Sequence, residues 1–96
     1  MNNYARGANF ERRVQDEYEK SGWFVIRSAG SHSWIDLVAL KAGEVLLIQC
    51  KIDGRLSPAE RQQLQELARD TGCQVWMYSR DGRKIITQEI KEEAKK

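Results

Sequence analysis

An aspartate, a glutamine and a lysine interrupt two adjacent apolar runs in this 96-residue chain. Asp36 lies near the start of the run 35–40, Gln49 lies within the run 45–50, and Lys51 follows directly. Between the runs, Lys41-Ala42-Gly43-Glu44 is the short polar break of a β-hairpin. With Ala42-Gly43 as the turn, Lys41 faces Glu44, and counting back along both strands sets Asp36 opposite Gln49. Opposed residues share a sheet face with Cβ atoms about 5 Å apart. Lys51, two residues on, points to that face as well. A carboxylate, an amide oxygen and an ammonium then converge at the open end of the hairpin. Such groups are costly to desolvate unless they are paired or bind an ion. The plain reading is an Asp36–Lys51 salt bridge at a sheet end. A longer loop would shift the register and separate the groups.

The chemical reading is a hard-oxygen metal site. Asp36, water and a backbone carbonyl suit Mg²⁺ better than zinc. A bound Mg²⁺ lowers the pKa of a water and stabilises charge on a phosphoryl oxygen. Lys51 then orients the attacking water or stabilises the transition state. Cys50 points to the other sheet face, yet its backbone carbonyl is placed to act as a ligand. These are the parts of a metal-dependent phosphodiesterase.

The elements that must position these groups follow in order. Residues 4–20 have an apolar stripe of Phe10, Val14 and Tyr18 at helical spacing. Glu11 borders that stripe, either as a surface glutamate or as a carboxylate leaning towards Asp36. Ser21-Gly22 ends the helix. Residues 23–28 form the first strand, apolar on both faces, with Arg27 near its end. The loop Ala29-Gly30-Ser31-His32-Ser33 is small and hydroxyl-rich. Beside Arg27 it is either a surface turn or a phosphate cradle. His32 has no second ligand-type residue nearby and is read as solvated. Trp34 either stacks on a base or packs under the loop.

After the hairpin, Asp53-Gly54-Arg55 makes a turn. Ser57-Pro58-Ala59-Glu60 is a helix start, with Ser57 as cap, Pro58 at the first helical position and Glu60 completing a capping box. Leu64, Leu67 and Ala68 form the stripe of this second helix, and Gly72 closes it. Residues 74–79 form a strand, Arg80-Asp81-Gly82-Arg83 a turn, and residues 84–90 a further strand at a sheet edge. Residues 91–96 are a charged tail. The result is a single domain over residues 1–90, an α/β fold with a mixed sheet and packed helices.

Composition adds limits. Hydrophobic residues make up 41% and charged residues 31%, as in a globular domain rather than a disordered one. A formal net charge of +2 says little by itself. The clustering of Arg6, Arg12, Arg13 and Arg27 in the N-terminal quarter says more. No run approaches the length of a membrane span and no apolar signal segment opens the chain, so a cytoplasmic protein is expected. Cys50 and Cys73 match no metal-ligand spacing and read as buried, reduced thiols in strand-like runs. A domain this small is expected to dimerise to hold a large substrate. Trp76, Met77 and the edge near Ile85 are candidates for the contact.

With these residues in order, the chain resembles the PD-(D/E)XK nuclease superfamily, whose core is αβββαβ. Within it the chain is most similar to archaeal- and phage-type Holliday junction resolvases. The matching stretches are Arg6-Gly7-Ala8-Asn9-Phe10-Glu11-Arg12, Arg27-Ser28-Ala29-Gly30-Ser31, Ile35-Asp36 and Gln49-Cys50-Lys51. The resemblance implies a homodimer that cuts opposed strands of a four-way DNA junction in recombination and repair. It implies Mg²⁺ in each subunit, with Mn²⁺ as a substitute. It makes Asp36 the principal metal ligand, joined by the Gln49 side chain and the Cys50 carbonyl. Glu11 would reach the metal directly or through water, and Lys51 would be the catalytic lysine. Ser31 and Arg27 would lie near the scissile phosphate, and Tyr4 and Arg6 in the segment that contacts DNA. The location would be the cytoplasm, the host's if a phage encodes the chain.

Two positions depart from the family pattern. Ile35 replaces the usual proline, which shapes the strand and does no chemistry. Gln49 replaces the usual acidic residue, as in members resembling the Mrr restriction nucleases, and a neutral amide oxygen binds Mg²⁺ more weakly. Three alternatives follow: a Mrr-like or repair nuclease on duplex or nicked DNA, a junction-binding module with weakened catalysis, and a structural domain whose polar groups are only salt bridges.

Overall fold

The structure is a computed structural model that describes residues 3–28, 34–52 and 55–91, with only the backbone given for residues 3–5. The loop containing Ser31 and His32, the Asp53-Gly54 pair and the last five residues lie outside the described residues. Helix α1 (Asn3–Lys20) leads into strands β1 (Phe24–Arg27), β2 (Leu37–Lys41) and β3 (Glu44–Lys51). Helix α2 (Pro58–Thr71) then connects to β4 (Gln74–Asp81) and β5 (Lys84–Ile90). The five strands form one sheet in the order β1-β2-β3-β4-β5. β3 and β4 are parallel, and the other neighbours are antiparallel. This is the mixed sheet flanked by helices that the sequence implies, with residues 84–90 at an edge.

Helix α2 begins and ends where its sequence dictates. Ser57 Oγ accepts from the Glu60 N–H at 3.1 Å, and the Ser57 N–H donates to Glu60 Oε1 at 2.9 Å. This reciprocal pair satisfies two amides that a helix start otherwise leaves open. Gly72 ends α2 with φ +70°, donating to the Ala68 carbonyl. Between the capped first turn of α2 and its C-cap, Leu64 is fully buried.

The sheet divides two cores. On one face, Phe10 and Val14 of α1 pack on Val25, Leu37, Ala39 and Ile48. On the other, Leu64 of α2 packs with Ile35, Val75, Met77 and Ile90. α2 lies over β4 and β5, so its face of β1 stays open. Phe24 is 64% exposed and Ile26 49% exposed. The first strand is therefore apolar on both faces without being buried on both. It is also shorter than expected, at four residues.

Three further expectations change. Met77 is 4% exposed and lies beneath α2, so it offers nothing to a partner surface. Cys73 lies between α2 and β4 rather than in a strand, and both thiols are half-buried and free. The second hairpin turns at Gly82-Arg83, one residue later than expected, because Asp81 pairs with Lys84 and Gly82 adopts φ +62°. The first hairpin turns at Ala42-Gly43 as expected, with Lys41 paired to Glu44.

That first turn carries a local cost. Both central residues have positive φ, +50° at Ala42 and +83° at Gly43. Such a turn matches the twist of the flanking strands. An alanine is disfavoured there by about 1–2 kcal/mol, because its Cβ crowds the next carbonyl. Asparagine tolerates this region better. Ala42→Asn is expected to raise stability by about 1 kcal/mol, a gain that urea unfolding with an unchanged m-value would register.

Candidate functional site

The site forms where the β2–β3 ladder stops. Paired residues run from Lys41–Glu44 to Leu37–Ile48 and no further. At Asp36 the backbone turns. Its N–H donates to the Ile48 carbonyl at 2.8 Å, towards β3. Its carbonyl accepts from the Ser28 N–H at 2.9 Å, towards β1. In a regular antiparallel strand both groups of one residue serve the same neighbour. The kink breaks the alternation of side chains. Ile35 packs on the α2 side while Leu37, two residues away, packs on the α1 side. Bulge-like kinks of this kind re-aim a side chain beside a site.

This corrects the register counted from the turn. Asp36 does not sit directly opposite Gln49. Its Oδ2 instead accepts from the Cys50 N–H at 2.7 Å. Cys50 itself packs on the α1 side, as alternation along β3 requires, so Gln49 and Lys51 belong to the α2 side. The Gln49 side-chain oxygen Oε1 is buried without a hydrogen-bond partner among the described residues. An acceptor left in that state costs about 1–3 kcal/mol, which marks it as waiting for a donor or an ion.

Lys51 does not pair with Asp36 directly. Its Nζ lies 2.7 Å from Glu60 Oε2, in the first turn of α2. The lysine charge still acts on Asp36 and draws its pKa down, as does the Cys50 hydrogen bond. Burial outweighs both, and the Asp36 pKa is raised. Glu11, half-buried on α1, is raised too: first by burial, then by the Asp36 charge, against the pull of Arg27. Burial and the same two carboxylates push the Cys50 thiol well up, so it stays protonated near neutral pH. Glu11 is therefore close enough to Asp36 for that charge to act on it, with no direct contact between them.

The other expected residues are placed less closely. Arg27 is exposed at the end of β1 and acts on Glu11. Arg6 is exposed on α1, five residues before Glu11. Tyr4 lies on the first turn of α1 with its side chain undescribed, and Ser31 lies outside the described residues. Trp34 is 39% exposed beside Asp36 in sequence. The contact that sequence reasoning missed is Lys51–Glu60. Its signal was present, since a crossover between parallel strands brings the helix start close to the end of the first strand.

Among the described residues, no three His, Cys, Asp or Glu side chains gather as a metal cage. The candidate donors at this end of the sheet are all oxygens: the Asp36 carboxylate held on the Cys50 amide, the Glu11 carboxylate on which the Asp36 charge acts, the orphaned Gln49 oxygen and the Cys50 carbonyl next to it in the chain. A cation that keeps most of its waters needs only one or two carboxylates from the protein. The residues present fit such an ion.

The model of the family described as archaeal Holliday junction resolvase (Hjc) matches residues 2–95. The chain is 46% identical over 52 residues to the crossover junction endodeoxyribonuclease Hjc of Methanocaldococcus jannaschii. That match takes in 54% of this chain and spans 38% of the relative's length. The fold is similar to that of Archaeoglobus fulgidus Hjc, a Holliday junction resolvase, with a TM-score of 0.73 and 29% identity. The superposition covers 88% of this chain and 73% of that one.

The electrostatics of Asp36 make a testable sign. Below both its folded and unfolded pKa the group is protonated in either state and costs nothing. As pH rises, the unfolded chain ionises first, because the folded pKa is the higher one. Stability is lost across that window and the loss persists at neutral pH. In metal-free protein, Asp36→Asn is expected to raise the melting temperature at pH 7 and to change it much less at pH 3. Thermal scans at both pH values check this.

Proposed function

The chain belongs to the archaeal Holliday junction resolvase family, and on that premise we propose that it is a structure-selective endonuclease resolving four-way DNA junctions. The observation that carries the reading is the donor set at the end of β3. The Asp36 carboxylate is held on the Cys50 amide, next along the strand from the buried, unpartnered Gln49 oxygen. Nucleases of this family generally depend on a divalent metal. The finer reading is Mg²⁺, with Mn²⁺ as a substitute, since the donors are oxygens and Mg²⁺ accepts few protein ligands.

Asp36, the Gln49 side chain and the Cys50 carbonyl would hold the ion, with Glu11 directly or through water. Bound there, it would supply a more acidic water and offset charge on a phosphoryl oxygen. The chain's own residues do the rest. Lys51 orients the attacking water or stabilises the charge that develops on the phosphate. Arg27 and Ser31 position the scissile phosphate, and Tyr4 and Arg6 contact the DNA backbone. As a homodimer the protein would carry two sites, one for each of two opposed strands. It would act in DNA recombination and repair in the cytoplasm. No helix among the described residues is long and apolar enough to cross a membrane.

Gln49 is the position on which the competing readings divide. With an amide in place of a carboxylate the site depends more on Glu11 and Asp36. The test is cleavage of a synthetic four-way junction and a matched linear duplex, in Mg²⁺ and in chelator. Paired symmetric cuts in the junction alone are expected, abolished by chelator and reduced at least about a hundredfold in Asp36→Ala. Gln49→Glu is expected to lower the Mg²⁺ concentration giving half-maximal rate by about tenfold. Equal cutting of the duplex would instead indicate a Mrr-like or repair nuclease. Junction binding without cuts would leave a binding module.

A further inference from the structure

Glu60 has a double engagement that helix capping alone does not explain. Its Oε1 accepts from the Ser57 N–H at 2.9 Å, closing the capping box. Its Oε2 lies 2.7 Å from Lys51 Nζ. One carboxylate therefore joins the start of α2 to the last residue of β3. The pair lies at the surface but is partly covered, with side-chain exposures of 20% for Glu60 and 25% for Lys51. A surface ion pair normally loses much of its worth in freezing two long side chains. Here the glutamate is already fixed by its bond to Ser57, so only the lysine has to be ordered.

We infer that Glu60 is a positioning residue for Lys51, holding its ammonium in the orientation that the proposed cleavage uses. The inference rests on the junction-resolving reading for its consequence, though not for its geometry. Gln49 sharpens the need. An acidic residue at that position would share the α2 side of β3 with Lys51 and attract it from two residues away. A neutral glutamine does not. Glu60, arriving on the same side from α2, supplies the negative charge that fixes the lysine. Because it sits on a capped helix start packed through Leu64 into the core, its place is rigid. Rigid support of this sort is what a reactive group needs, since a misplacement of about 1 Å can cost about a hundredfold in rate.

The capping role and the positioning role separate by substitution. Glu60→Gln keeps an acceptor for the Ser57 amide and so keeps the capping box, but it removes the charge facing Lys51. Ser57→Ala removes the hydroxyl cap and leaves the Glu60 carboxylate in place. The rate of junction cleavage under single turnover, the junction dissociation constant and the melting temperature are measured for the native chain and both variants. Glu60→Gln is expected to cut about ten- to a hundredfold more slowly, with junction affinity within about twofold of native and little change in melting temperature. Ser57→Ala is expected to melt earlier yet cut within about twofold of the native rate. Cleavage by Glu60→Gln at the native rate, or losses that merely track stability in both variants, would overturn the inference. A readout independent of cleavage is proton exchange at the Lys51 ammonium, followed by nitrogen-detected NMR on metal-free protein. The signal is expected to be protected in the native chain and broadened in Glu60→Gln; equal protection in both overturns the inference. A native chain that cuts no junction but shows this protection would sink the resolvase reading and leave the Glu60–Lys51 geometry standing.

Discussion

The hydrogen bond from the Cys50 amide to the Asp36 carboxylate is the contact on which the site depends. β3 has two neighbours, and it loses one of them early. Pairing with β2 ends at Ile48, whereas pairing with β4 continues to Lys51–Ser79. Past Ile48, one edge of β3 is open, and its buried backbone groups still need partners. The Asp36 side chain takes the Cys50 amide that a strand would otherwise have taken. A charged acceptor makes that bond stronger than a backbone one. The open edge thus becomes a place where a carboxylate is held at fixed position beside an unpartnered amide oxygen.

The rest of the fold serves that opening from both sides. From above, α1 brings Glu11, flanked in sequence by the buried Phe10 and by Val14 one turn on. The helix is tied further along by Tyr18, whose hydroxyl meets that of Tyr78 on β4 at 2.5 Å. From below, α2 brings Glu60 to Lys51. Burial raises the pKa of both half-buried carboxylates, and the Asp36 charge adds to the effect at Glu11. A cation bound beside them would offset that charge.

Much of this was legible in the chain itself. Hairpin turn, caps and stripes were all local signals: Ala42-Gly43 between apolar runs, Ser57 with Glu60, Phe10 with Val14 and Tyr18. The register counted from the turn was right over five pairs and failed only at Asp36, where alternation gives way to the kink. No residue type announces that kink, because it arises from β1 and β3 competing for the backbone of Asp36. The exposure of Phe24 and Ile26 and the burial of Met77 were equally hidden, since both depend on which strands α2 covers.

The sequence by itself determined the order of elements, the two helix caps, the first hairpin and the identity of the polar residues at its open end, because each rests on contacts between near neighbours. Tertiary structure decided which of those polar residues meet. Asp36 reaches the Cys50 amide because the ladder ends there. Glu11 feels Asp36 because α1 packs across the same strands. Lys51 turns to Glu60 because the crossover from β3 to β4 sets the start of α2 beside it. Those meetings join residues 9 to 25 positions apart, and only the packing of both helices on one twisted sheet brings them within reach.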